Sequence, residues 1–193
     1  MQDLAGQWQT AFLTTLQRDE RAALLKQASL DERLGDWTRE LTALVVATCS
    51  DIGWTAAAKK HLGDVIPVRR NEYLSLDIMA FPTAGGRWRF PIAVYELENS
   101  RYDDVVAYSL WKVLCTRAAL RIVFCYRRTP EAGANLVSFI RDDVVLPMTP
   151  GERLKISGQT ILCVGSRDRS GTFPYDFFRW WQFDLNTGNF VKI

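Results

Sequence analysis

The sequence predicts an α/β domain: a mixed central sheet flanked by helices, with helices leading in at the N-terminal end and a β-hairpin at the C-terminal end. Three observations predict it. Apolar residues recur at helical spacing through the first fifty residues. Short alternating runs bounded by turn residues take over after residue 72. Between two of those strands lies an amphipathic helical stretch, and a strand–helix–strand unit implies a sheet with covered faces.

Residues 3 to 28 read as helical, because Leu4, Trp8, Phe12 and Leu16 repeat every fourth residue. This stretch is set apart as an N-terminal helical extension (1–28), followed by a single domain over 29–193. Ser29 is placed to cap a second helix, with Asp31 and Glu32 favourable at its positive end, and Gly53 is placed to stop it. A short helix is expected through Ala56, Ala57 and Ala58, then a short strand at Val65 to Val68. Tyr73 to Phe81 and Trp88 to Leu97 read as antiparallel strands joined across Pro82-Thr83-Ala84-Gly85-Gly86. Residues 101 to 117 read as a helix, with Ser100 and Asp103 in capping-box spacing. Leu120 to Tyr126 is apolar except for Arg121 and belongs inside the sheet. A helix at about 131 to 142, a strand at Thr160 to Gly165 and a hairpin from Phe177 to Ile193 complete the order.

Composition excludes several classes. The chain has 193 residues and a formal net charge of only +2, so binding to a polyanion would need local basic clusters, and Lys59-Lys60, Arg69-Arg70 and Arg127-Arg128 are such pairs. No run approaches the roughly 20 apolar residues of a membrane span, and the first residues lack the pattern of a signal peptide, so a cytoplasmic location is expected. Cys49, Cys115, Cys125 and Cys163 include no C-x-x-C pair and sit in apolar surroundings, which suits buried reduced thiols better than zinc ligands. With a single histidine, His61, and no G-x-S-x-G, P-loop or G-x-G-x-x-G, chemistry has to rest on carboxylates, lysine and a metal.

The carboxylates that stand out are Asp77, Glu96 and Glu98. Alternation puts Tyr73, Ser75 and Asp77 on one face of their strand, and Glu96 and Glu98 side by side about 7 Å apart on the next. Two like charges at about 4 Å cost roughly 4 kcal/mol at an effective dielectric constant near 20. A divalent cation removes that cost, and oxygen ligands suit Mg²⁺ or Mn²⁺. Alternatively, such glutamates are solvated or paired with an arginine such as Arg101.

At these residues the sequence resembles the PD-(D/E)XK nuclease superfamily. That family's core is a helix, a three-strand meander, a helix and a further strand, with an Asp on the second strand and a (D/E)-x-K motif on the third. Asp77 matches the Asp, and Glu96-Leu97-Glu98 matches the motif with Glu in place of Lys. The resemblance spans about residues 30 to 128 and implies a restriction-endonuclease-like core. It implies a Mg²⁺- or Mn²⁺-dependent endonuclease acting on DNA or RNA, with Asp77 and Glu96 as metal ligands and Glu98 or Lys112 positioning water. Some restriction enzymes of the superfamily carry Glu at the lysine position, and in others the lysine is relocated to the following helix, where Lys112 lies. Glu40 is the candidate for the acidic residue often found on the first core helix. Arg69, Arg70, Arg127 and Arg128 are candidates to hold a nucleic-acid backbone.

A second reading is a catalytically silent binding module on the same fold. Alternation in Phe177-Phe178-Arg179-Trp180-Trp181-Gln182-Phe183 turns one set of aromatics outward if only one face of the strand is covered. Such a patch suits a partner protein, a homodimer or unpaired bases. A strand buried on both sides is the alternative.

Overall fold

The computed structural model describes residues 3–61, 64–68 and 72–193. The sheet has seven strands among these residues, and each pairs with its neighbour in sequence. They are β1 (Trp54–Ala58), β2 (Ile78–Pro82), β3 (Ala93–Leu97), β4 (Leu120–Arg127), β5 (Gln159–Ser166), β6 (Phe178–Asp184) and β7 (Asn189–Lys192). The β3–β4 and β4–β5 pairs are parallel and the others antiparallel, so the sheet is mixed. Helices α1 (Leu4–Arg18), α2 (Arg21–Leu30) and α3 (Leu34–Asp51) belong to one face. Helices α4 (Asp103–Leu114) and α5 (Pro130–Ile140), continued by a π-helical turn at Arg141–Val145, cover the other. A single turn, α6 (Pro150–Arg153), precedes β5.

Residues 3 to 28 do not form an extension. Trp8 and Phe12 of α1 are fully buried and stack at 5.0 Å. The Trp8 ring meets Tyr95 of β3 at 5.3 Å, Phe124 of β4 at 5.8 Å and Trp180 of β6 at 6.2 Å. The four-residue repeat that forms α1 is therefore the stripe that covers the middle of the sheet. The helical stretch breaks at Asp19-Glu20, and α2 runs through Ser29, whose hydroxyl is buried inside the fold rather than capping the next helix. That helix begins at Leu34, after Glu32 has entered the left-handed region at φ 54°.

Three further expectations are corrected. The alanines at 56–58 form a strand, not a helix, since pairing with β2 outweighs alanine's helical preference. Gly53, at φ +74°, makes the turn that redirects the chain from α3 into β1. Residues 65–68 bend without forming a strand, and the first strand of the sheet is β1 instead. The stretch Tyr73–Phe81 is a strand only from Ile78. Leu74 and Ser75 both adopt left-handed backbone (φ 55° and 56°), folding Tyr73 and Leu76 into a tight turn.

Arg121 sits in a β-strand for a reason. Its guanidinium reaches the end of α4, donating to the carbonyls of Val113 (2.9 Å) and Thr116 (2.8 Å), and also to Ser157 (2.6 Å). Free carbonyls at a helix C-terminus attract a cation, so Arg121 ties α4 to the sheet.

The C-terminal hairpin presents no outward aromatic patch. Phe178, Trp180, Trp181 and Phe183 are all buried. Phe178 and Trp180 pack with Phe12 of α1, while Trp181 and Phe183 belong to the core on the α4–α5 side. The aromatic surface offered for a homodimer or protein partner is consumed by the fold. Among the described residues no helix is long and apolar enough to cross a membrane.

Trp8→Ala is expected to lower the free energy of unfolding by about 3–5 kcal/mol, read by urea denaturation. A loss under about 1 kcal/mol would restore the extension view of residues 1–28.

Candidate functional site

Strand register brings Asp77 and Glu96 together. Ile78 pairs with Tyr95 across the antiparallel β2–β3 ladder, so Asp77 stands beside Glu96 one step beyond the paired residues. Directly opposed residues hold their Cβ atoms about 5 Å apart. Asp77 is fixed there by its Oδ2, which accepts the Leu97 amide hydrogen at 2.7 Å.

Lys112 reaches the same point from α4. Its Nζ lies 2.7 Å from Glu96 Oε2 and donates to the Ser75 carbonyl at 2.7 Å. One ammonium thus holds a buried carboxylate and the left-handed turn at Leu74-Ser75. Backbone of that kind costs of order 1–3 kcal/mol per residue and persists where its surroundings hold it. Lys112 lies one turn from Ser109 on the side of α4 that faces β3, and Ser109 Oγ donates to Glu98 Oε2 at 3.2 Å.

Glu98 has a different role from Glu96. Its two oxygens are engaged, Oε2 by Ser109 and Oε1 by the Ser100 amide at 2.8 Å. It therefore joins the end of β3 to the start of α4. The expected capping box does not form: Ser100 Oγ accepts from the Tyr102 amide, while Asp103 pairs with Arg127 at 2.6 Å.

The electrostatics follow from burial. Glu96 is 4% exposed, and its Oε1 has no hydrogen-bond partner within the fold. Desolvation is the main reason its pKa rises from 4.5 to about 7; Lys112 works against the rise and the charge of Asp77 adds to it. Burial also raises Asp77, opposed by the Leu97 amide and Lys112 and assisted by the nearby Glu72 and Glu98. Burial pushes the Cys49 and Cys125 thiols up to about 12, which keeps them protonated and excludes them as nucleophiles. Cys163 is buried too, whereas Cys115, expected among apolar neighbours, is exposed.

Asp77 opens onto a cleft of about 540 Å³ between the first half of α3 and the chain following β1. Arg39, Lys59, Lys60, His61 and Glu72 line it. Both lysines are exposed, and His61 is fixed by paired backbone bonds with Ala58, each 2.8 Å. These residues follow β1, a strand the sequence conceals as a helix, so the lysine pair carried no positional meaning until β1 was in place. Asn99, just past β3, donates to Thr38 Oγ1 at 2.9 Å, and Thr38 lines the cleft. Glu40 is buried on α3 with Oε1 accepting from Arg39 at 2.8 Å.

The other basic candidates lie apart from this cleft. Arg127 is partly buried and occupied, bonding Asp103 and the Ser100 carbonyl (3.1 Å) to hold the start of α4. Arg128 is largely exposed, 3.9 Å from Asp168. Arg69 and Arg70 lie outside the described residues.

Whether these residues fit a divalent cation can be judged from their oxygens. Among the described residues no group of three or more His, Cys, Asp or Glu side chains is gathered to hold a metal. Mg²⁺, however, needs only one or two carboxylates, completing its shell with water and substrate phosphate. Asp77 and Glu96 supply two, and the orphaned Glu96 Oε1 is a buried acceptor still lacking a partner. The pair fits such a cation; the three-carboxylate cage expected from spacing does not form, because Glu98 is used structurally.

No protein-family model matches the chain, and no curated protein is significantly similar to it in sequence.

The raised Glu96 pKa sets a pH dependence of stability. The fold favours the protonated acid, so its contribution is fully present below about 4.5 and is lost as pH rises to about 7. Relative to Glu96→Gln, which cannot ionise, the wild-type melting temperature is expected to fall across that window in EDTA. Parallel curves would show that Glu96 titrates normally.

Proposed function

We propose that the protein is a metal-dependent phosphodiesterase acting on DNA or RNA, with a core of the PD-(D/E)XK, restriction-endonuclease-like kind. The observation that carries this reading is the meeting of Asp77, Glu96 and Lys112, with Asp77 opening onto a cleft that Lys59 and Lys60 also line. The chain order supports it: helix α3, the antiparallel β1–β2–β3 meander, helix α4, and β4 parallel to β3. Asp77 borders the second strand of that meander and Glu96 lies on the third, with lysine supplied from α4 in place of the Glu98 position.

On this reading Asp77 and Glu96 hold Mg²⁺ or Mn²⁺. When bound, such a cation polarises a phosphoryl oxygen and acidifies a coordinated water. Lys112 Nζ is the cation of the chain itself at this point. It keeps Glu96 oriented and stands where negative charge builds on the phosphoryl group, which it stabilises in a site screened from water. Lys59 and Lys60 supply the cleft's uncompensated positive charge for a phosphate backbone, even though the net charge is small, while Arg39 is engaged by Asp36 and Glu40. Glu98 acts at one remove, positioning the start of the helix that carries Lys112.

The test is cleavage of end-labelled DNA and RNA in Mg²⁺ or Mn²⁺. Wild type is expected to cut at least one polymer, Asp77→Ala and Glu96→Gln to abolish cutting, and Lys112→Ala to slow it about 100-fold or more. Paired Lys59→Ala and Lys60→Ala should raise KM while leaving kcat nearly unchanged. Wild type that cuts neither polymer, or Asp77→Ala that cuts normally, overturns the reading.

A further inference from the structure

A second concavity adjoins the cleft. It is a groove of about 580 Å³ between the 66–68 segment, the turn at 72–75 and the 88–91 segment. Glu72 lines both concavities, and Ser75, in the groove, is the residue whose carbonyl receives Lys112. The groove therefore lies one side chain from Glu96.

Its chemistry is unlike that of the cleft. Trp88 is 69% exposed and Phe90 68%, more than any other tryptophan or phenylalanine among the described residues, Trp111 on α4 coming next at 50%. Leu74 is likewise open at 77%. Basic residues alternate with the aromatics in Arg87-Trp88-Arg89-Phe90. Arg89 is bound to the Pro82 and Ala84 carbonyls and stiffens the segment. Arg117 lays its guanidinium 4.7 Å from the Phe90 ring centroid. Neither Arg87 nor Arg117 has an ion-pair partner among the described residues.

We propose that this groove holds the unpaired bases of a single-stranded polynucleotide, feeding the strand toward the carboxylate site. The proposal rests on the phosphodiesterase reading and names its substrate class. Exposed aromatic faces stack on bases of any sequence, and unpaired arginines answer the phosphates between them. A duplex keeps its base faces stacked inside, so it leaves Trp88 and Phe90 without a partner. The open Trp88 ring and the outer face of Phe90, with Arg117 seated on that ring's other side and Arg87 beside them, match a single strand in both shape and charge.

The test is fluorescence anisotropy in EDTA, which keeps the probe intact, using the full chain with labelled 20-nucleotide single strands of DNA and of RNA and with the corresponding duplexes. Wild type is expected to bind a single strand about tenfold tighter than duplex, and Trp88→Ala/Phe90→Ala to lose about tenfold or more of that affinity. Trp88→Tyr should retain most of it. As a readout that needs no variant, ultraviolet crosslinking of wild type should map to residues 88–90. The proposal falls if duplex binds as well as single strand, if the folded double variant binds within about twofold of wild type, or if crosslinks map only elsewhere. It falls also if light scattering shows the double variant to lose a dimer while keeping its strand affinity, which would assign the groove to a second copy of the chain. A wild type that binds single strands through the groove but cuts nothing in Mg²⁺ or Mn²⁺ would sink the phosphodiesterase reading and leave the groove standing. Cutting that ignores strandedness and the double substitution would do the reverse.

Discussion

The arrangement turns on one buried ion pair, Lys112 with Glu96, and on what the lysine does with its remaining hydrogens. Removing a carboxylate from water is costly, and a single attraction does not always offset it. Here it does not: Glu96 stays raised to about 7 although Lys112 is 2.7 Å away. The acid is left near balance at neutral pH, able to exist charged or protonated according to what approaches Oε1. A second bond from Lys112, to the Ser75 carbonyl, links that balance to the backbone. If the lysine shifts, both the acid and the turn at Leu74-Ser75 lose a partner.

The location of this pair follows from topology. Sites in open α/β sheets form beyond the carboxyl ends of parallel strands. β3 and β4 run parallel, and the carboxyl end of β3 is where Glu96, Leu97 and Glu98 emerge. The antiparallel partner β2 begins at that same end, which brings Asp77 in beside Glu96. The starts of α3 and α4 are tied to this end as well, through Asn99 to Thr38 and through Glu98 to Ser100. Rigid elements thus hold the acids, and the basic residues Lys59 and Lys60 sit in the turn after β1 that the paired Ala58–His61 backbone bonds close.

Much of this was legible in the sequence, and the failures share a cause. The long helices, the central strands and the side-by-side placement of Asp77 with Glu96 rest on periodicity and on strand pairing, both local properties. What was hidden depended on partners distant in sequence. Ala56–Ala58 reads as helix until β2 is there to pair with it. The aromatic run of β6 reads as a surface until α1, some 170 residues earlier in the chain, is seen to cover it. Glu98 reads as the equal of Glu96, because alternation puts them on one face; only the positions of Ser100 and Ser109 show that its oxygens are spent. Arg127 looks like a phosphate ligand until Asp103 occupies it. In each case the residue type and its spacing were informative, and the competing partner decided the role.

A small net charge and a polyanionic substrate are compatible once the charges are separated by depth. Lys59 and Lys60 stand exposed at the rim of the cleft, where they attract an approaching strand within the solvent's screening length. Asp77 lines the same cleft and Glu96 lies buried beside it, where burial leaves their charge poorly screened. A phosphate drawn in by the rim therefore meets repulsion at the bottom, of which Lys112 cancels only one charge. On the proposed reading, a divalent cation at Asp77 and Glu96 reverses that field and raises the affinity for phosphate. By linkage a bound phosphate raises the affinity for the cation by the same factor. Neither ligand then needs to bind tightly alone. Two carboxylates, rather than the three that spacing alone suggested, are enough, because the substrate completes the shell.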